Sequence, residues 1–349
     1  MVGLRSGLAV CNPLLPSRIM DRHYLPKRML EGVSVDLLAL LLIAALYGLV
    51  EGITEWLPVS STGHMLLLDQ FVSLDVSTDF WNMFLVVIQL GAILAVVVVF
   101  FSKLNPFSST KGKTRRRQTW DLWAKTIVAC IPAAAIGIPL DDWMEEHLGS
   151  PYVIAIALIV YGVAFIVIEN IREAKAEATL AELEEMSRGR HFSGPAVEED
   201  NLAVLADEDA RIQRIEDLDW KTALGIGLFQ VLSIVPGTSR SGSTIIGGLI
   251  LGCSRAVAAE FTFYLAIPVM VGASGLRLVK FFLKGNGFAA NEAAVLGVGC
   301  LVAFVVSLIA IRGLMGFVKR HNFKPFGFYR IFLGVAVIVY FALVAVVGW

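Results

Sequence analysis

The sequence predicts an all-α polytopic membrane protein: six transmembrane helices plus two re-entrant helical hairpins, arranged as two inverted-topology repeats. Three observations carry that expectation. The chain is 56% hydrophobic and only 17% charged, with a mean hydropathy of +0.72, whereas an ordinary soluble domain is about a quarter charged. Uncharged runs of membrane-spanning length recur along it. Two shorter apolar runs each lead into a proline-containing polar loop, and the two loops resemble one another.

The first thirty-five residues carry Arg5, Arg18, Arg22, Lys27 and Arg28 but no apolar core long enough for a cleavable signal. They read as a flexible tail, with Met20 and Met29 as alternative starts. Beyond it, Phe80–Phe101, Tyr152–Ile168, Ala293–Ile311 and Ile331–Trp349 are uncharged. Trp120–Leu140 and Ala256–Leu276 carry charge only near their entry. Each of the six can cross a hydrocarbon core of about 30 Å at about 1.5 Å per residue. Leu37–Val50 and Thr222–Val235 are fourteen residues each, a length more typical of re-entrant segments.

Aligned with a one-residue gap, GLVEGITEWLPVSSTG (Gly48–Gly63) matches GLFQVLSIVPGTSRSG (Gly227–Gly242). Glu51 falls on Gln230, Pro58 on Pro236, and the hydroxyl run on Thr238-Ser239-Arg240-Ser241. Chance similarity of two glycine- and serine-rich loops is the plainer explanation. Yet each loop precedes three spans, and three is odd, so the second copy enters from the opposite face. Four segments follow: residues 1–35 a tail, 36–168 the first repeat, 169–221 a polar insert and 222–349 the second repeat. The insert holds fifteen of the 30 acidic residues and reads as solvated surface.

Basic residues cluster in loops 102–119 and 312–330, which share one face. That face is assigned to the cytoplasm, although the basic tail argues the other way. A net charge of −1 gives no electrostatic case for nucleic acid. Cys11, Cys130, Cys253 and Cys300 are too scattered for a metal site or a disulfide framework.

The chemistry concentrates at Glu51–His64, EGITEWLPVSSTGH, beside hydrocarbon-like sequence. Ionisable groups at membrane depth are costly and read first as functional. Glu51 and Glu55, four apart, share a helix face. Two such carboxylates repel unless a proton or a cation lies between them. Mg²⁺ or Ca²⁺ on Glu51 and Glu55 is one resolution, and a transporter-type proton relay is the other. Ser60, Ser61, Thr62 and Gly63 form an anion-cradling loop, as do Gly237, Thr238, Ser239 and Ser241 around Arg240. A buried guanidinium suits phosphate, though Arg240 could simply pair Glu51 or Glu55. His64 reads as nucleophile or general acid, against the plainer reading of a satisfied structural histidine. Anion cradle, metal and nucleophile together describe phosphoryl transfer.

EGITEWLPVSSTGH and PGTSRSG (Pro236–Gly242) resemble, at full length and in order, the two signature motifs of the bacterial undecaprenyl-diphosphate phosphatase family associated with bacitracin resistance. The resemblance runs from about Leu37 to the C-terminus, and only the basic tail and the acidic insert depart from it. It implies removal of the terminal phosphate of a C55 prenyl diphosphate, which recycles the lipid carrier for peptidoglycan. It also implies a multi-pass protein of the inner membrane with its site on the extracytoplasmic side. By the same resemblance Glu51 and Glu55 are linked to a divalent cation, His64 or Ser61 is the nucleophile, and Arg240 holds the diphosphate. The expected partners are the lipid substrate and the bilayer, and a homodimer is compatible with them. Two competitors remain. One is a lipid flippase using the glutamate pair as proton relay. The other is a phosphatidic-acid-type phosphatase, which lacks its required histidine after Arg240, the next being His321.

Overall fold

Helix starts are set by short polar side chains that satisfy otherwise orphaned backbone N–H groups. Ser77 accepts from the amide of Phe80, Asp219 from Thr222 and Ser254 from Val257, and each begins a helix at the next residue. The computed structural model describes residues 37–188 and 199–347 of the 349. The tail, its alternative starts, Cys11 and most of the stretch GRHFSGPAVEED lie outside the described residues.

Twelve α-helices are described: α1 Leu37–Thr54, α2 Ser61–Phe71, α3 Thr78–Val99, α4 Phe101–Leu104, α5 Lys113–Leu148, α6 Pro151–Arg188, α7 Glu199–Glu208, α8 Trp220–Val231, α9 Arg240–Ile250, α10 Arg255–Leu283, α11 Ala290–Phe317 and α12 Lys324–Val347. Among the described residues the only extended pairing is a single bridge between Ile212 and Cys253. The all-helical expectation holds.

Among the described residues, seven helices are long and apolar enough to cross a membrane, one more than the six expected spans. The seventh is α1, which continues past Val50 through Glu51 to Thr54 and reaches 18 residues. A glutamate is a good helix former, so charge alone did not end the helix. α8 is shorter, 12 residues followed by a 3₁₀ turn at Leu232–Ile234. Large apolar side chains such as Leu42, Ile309 and Phe332 are 62–70% exposed. Such a surface is a liability in water and suits lipid.

The packing is reciprocal. α1 lies along α11 as α8 lies along α5, while α3 meets α10 and α6 meets α12. Close approach uses a glycine at the same place in both pairs. A Cβ on Gly48 would stand 2.5 Å from the Gly299 carbonyl oxygen, and one on Gly227 2.2 Å from that of Ala129. Any side chain there would force the helices apart.

The insert corrects its sequence reading at one end. α6 runs without a break through residue 169, and Glu169 is wholly buried rather than solvated. Its carboxylate accepts from Arg255 Nε at 2.8 Å and Nη2 at 2.5 Å, and from the Phe323 amide at 3.0 Å. Arg255 also reaches the Ala203 carbonyl of α7 at 2.5 Å. Desolvation makes such a pair a poor net stabiliser, but losing one partner costs about 3–5 kcal/mol. It locks α6, α7 and α10 in register.

Candidate active site

The two polar loops are tight turns between helices, α1 to α2 and α8 to α9. Each turn ends on a serine in the left-handed region, Ser60 at φ 70° and Ser239 at φ 72°. Among the described residues these are the only non-glycine positions with positive φ. Such a conformation costs roughly 1–3 kcal/mol and persists only where surroundings impose it. Each strained serine opens an 11-residue helix, so two helix N-termini, with their free amides, begin at the turns.

Glu55 is the hub. Its Oε1 receives Arg240 Nη2 at 3.0 Å, and its Oε2 accepts the Ser61 hydroxyl at 2.7 Å. Both members of the ion pair are nearly buried, with side chains 9% and 11% exposed. Arg240 also donates to the Thr262 carbonyl at 3.1 Å, and Ser241 Oγ reaches the Glu55 carbonyl at 3.2 Å. Glu51 interacts with both Glu55 and Arg240. It is 1% exposed, and its Oε1 has no hydrogen-bond partner. A buried acceptor left empty is costly, which marks a place for a proton, a cation or a ligand donor.

Five predicted residues therefore converge: Glu51, Glu55, Ser61, Arg240 and Ser241. The others serve the frame or point away. Ser60 Oγ is buried and unpartnered, and Ser239 Oγ caps α9 through the Gly242 amide at 3.2 Å. Gly237 holds φ 89° against the backbone of Ile154, where a Cβ would sit 2.6 Å from the carbonyl oxygen. Thr62 is exposed, while Gly63 is buried, where a Cβ would stand 3.1 Å from the Leu158 side chain and 3.7 Å from that of Leu333. His64 turns to α12. Its Nδ1 is 2.7 Å from the Ser60 carbonyl oxygen and its Nε2 is 2.7 Å from the Tyr329 hydroxyl. A carbonyl only accepts, so Nδ1 carries the hydrogen and Nε2 accepts from Tyr329. The ring also stacks on Tyr329, 5.6 Å between centroids.

Arg330 escaped the sequence reading, which counted it among the basic residues of loop 312–330. It is fully buried within α12. Its guanidinium donates to Pro58 O at 3.2 Å, Gly237 O at 3.1 Å and Thr238 O at 2.9 Å. One side chain thus bridges both turns. The available signal was a charge next to the uncharged run from Ile331, at membrane depth. Tyr329, which carries no charge, was missed as well.

A cation would find oxygen ligands here, but few of them. Among the described residues no group of three or more His, Cys, Asp and Glu side chains gathers. Both Glu55 oxygens are engaged, so the fit rests on the free Glu51 oxygen and on oxygens a phosphate would bring.

With this geometry in hand, similarity to known proteins can be stated. The family profile described as bacitracin resistance protein BacA matches residues 44–336. An undecaprenyl-diphosphatase of Streptococcus thermophilus is 49% identical over 308 residues, covering 88% of this chain and 96% of that protein. One of Limosilactobacillus fermentum is 50% identical over 305 residues, covering 87% and 99%. One of Streptococcus suis is 50% identical over 300 residues, covering 86% and 96%.

Proposed function

The chain belongs to the bacitracin resistance protein BacA family, and from that premise we infer that it is an undecaprenyl-diphosphatase. It hydrolyses undecaprenyl diphosphate to the monophosphate and phosphate in the membrane, recycling the lipid carrier for peptidoglycan and conferring bacitracin resistance. The observation that carries a mechanism is the Ser61–Glu55–Arg240 chain of hydrogen bonds.

Ser61 is the nucleophile. Its hydroxyl is already aimed at Glu55 Oε2, which takes the proton as Ser61 Oγ attacks the terminal phosphorus. The anhydride P–O bond breaks, undecaprenyl phosphate leaves carrying the proton that Glu55 took from Ser61, and a phosphoserine remains with Glu55 ionised again. Water then attacks that phosphorus and gives a proton to the Glu55 carboxylate, which passes it to Ser61 Oγ as the Oγ–P bond breaks and phosphate departs. Arg240 exchanges Glu55 for phosphate oxygens, and the α2 and α9 N-termini face the developing charge. His64 turns its Nε2, the nitrogen whose lone pair would attack, to the Tyr329 hydroxyl at 2.7 Å rather than toward Glu55 and Arg240. Its role is to fix the first turn of α2 against Tyr329. A divalent cation, Mg²⁺ or Ca²⁺, fits Glu51 and, when bound, supplies charge neutralisation to the phosphate oxygens.

The topology we assign is six spans plus two half-span hairpins in inverted repeats. Support comes from the reciprocal helix pairing and from the first turn, which is largely buried in protein. Irregular backbone at membrane depth is tolerated in that setting. The site is assigned to the extracytoplasmic side of the inner membrane. Ile154 and Leu158, which touch the turn region, lie only about 5–10 Å along α6 from its outer end. Moving Arg330 out of the basic loop leaves Arg312, Lys319, Arg320 and Lys324 there, so the charge asymmetry survives.

The test is phosphate release by the purified protein in detergent. C55 diphosphate, C15 diphosphate and phosphatidic acid are compared, each with and without chelator. Release from C55 diphosphate with no second compartment separates a phosphatase from a flippase, and none at all would sink the reading.

A further inference from the structure

We propose that the apolar groove between the end of α1, the second half of α11 and the start of α12 seats a segment of the substrate's prenyl chain. This rests on the undecaprenyl-diphosphatase reading and extends it to how the hydrocarbon is held.

The groove has a volume of about 630 Å³, and every side chain lining it is apolar. That size lies within the roughly 300–1,000 Å³ of small-molecule sites. With no polar group on its walls it has nothing to offer a headgroup or water, so its occupant is hydrocarbon. Two of its walls lie next to the candidate active site along the chain. Leu57 lines the groove, while its backbone lies in the turn that carries Glu55 and its carbonyl faces Ser241 Oγ at 3.4 Å. Phe326 lines the opposite wall, one helical turn before Tyr329 and Arg330, which bind His64 and both turns.

The groove is also open to the side. Ile53 and Ile309 on its walls are 40% and 70% exposed, so a chain can enter from the bilayer without threading. Depth selects the prenyl chain over a membrane phospholipid. A phospholipid keeps its phosphate at the interface, whereas this diphosphate must reach buried groups at the turn. Its first isoprene units therefore have to lie in apolar surface at the same depth. Gly313 lines the groove, and a Cβ built on it meets nothing within 4 Å. The space beside it can be filled without a clash.

Gly313→Leu and Gly313→Phe are the test variants. Both replace a helix-interior glycine with a better helix former, so the fold is not endangered. In both, KM for C55 diphosphate should rise about tenfold, the scale of a lost apolar pocket contact, with kcat within about twofold. Competitive inhibition by pyrophosphate, which carries the head but no chain, should be unchanged. A C55 monophosphate bearing a diazirine in its chain should label the 309–317 peptide in wild type and lose that label in Gly313→Phe. This labelling reads the groove even if wild type releases no phosphate, an outcome that would count against the functional reading alone. An unchanged KM overturns the proposal, as does a parallel rise in the pyrophosphate inhibition constant. Labelling confined to other peptides overturns it too. So does an effect seen only on co-purifying phospholipid, which would make the groove a bilayer-lipid site.

Discussion

The turn between α1 and α2 and the turn between α8 and α9 share a backbone and differ in chemistry. Each follows a helix packed through a glycine, each ends at a serine near φ 70°, and each opens an 11-residue helix. The first supplies the carboxylates and the hydroxyl, Glu51, Glu55 and Ser61. The second supplies the guanidinium, Arg240. Where the first has buried Glu51, the second has buried Gln230, whose amide atoms likewise lack partners. The difference teaches a division of labour. Geometry is made twice and charge once on each side, so opposite charges meet at a single centre and neither turn is a site alone.

The largest expected effect separates the two candidate nucleophiles of the first turn. Ser61→Ala should lower kcat by roughly 10³-fold or more, as loss of a nucleophile does. His64→Ala should cost far less and act mainly through α2 placement. Single-turnover phosphate release with trapping of the phosphoenzyme reads this directly, and a phosphohistidine at His64 would reverse the assignment.

Next comes the contribution of the second turn. Arg240→Ala should cost about 2.7–4 kcal/mol of transition-state stabilisation, roughly 10²–10³ in rate. Arg240→Lys should recover only part of it, because an ammonium cannot reproduce the planar fork. A wild-type rate in Arg240→Lys would reduce Arg240 to a point charge.

Glu51→Gln makes the first turn resemble the second. The fold should survive, since Gln230 shows that a buried amide is tolerated at the matching position. Activity should fall by roughly 10–10², and stimulation by added Mg²⁺ or Ca²⁺ should vanish. Stimulation that persists would move the cation away from Glu51.

The smallest effect lies at the start of α8, which carries the second turn. Asp219→Ala should lower stability by about 1 kcal/mol, the worth of an N-cap. The Thr222 amide and then Arg211 hold the Asp219 carboxyl down at about 2, from an ordinary 3.8. A depressed carboxylate stabilises the fold above its unfolded value. That contribution should fade as pH falls from about 4 through 2. Thermal melts of wild type and Asp219→Ala should therefore converge toward pH 2, and a constant gap would place the effect elsewhere.

Much of this was legible along the chain because it is local. Hydropathy fixed the membrane class, and residue types at short spacing marked both motifs and their match to one another. The uncharged run stops at Val50, but the helix runs on through Glu51 to Thr54, in keeping with the spacing that put Glu51 and Glu55 on one helix face. Arg330 looked like loop charge, since a basic residue beside an apolar run usually snorkels to the interface. Glu169 looked solvated because it opens an acidic stretch.

The sequence by itself determined the membrane class and marked the two motifs to which we assign the chemistry, since composition, period and motif are properties of neighbours. Tertiary structure alone decided that Glu55 lies between Ser61 and Arg240, that His64 faces Tyr329, and that Arg330 clamps both turns. Those partners are up to 272 residues apart. Their meeting depends on how whole helices pack, because a buried donor or acceptor must find its partner wherever packing brings one within reach.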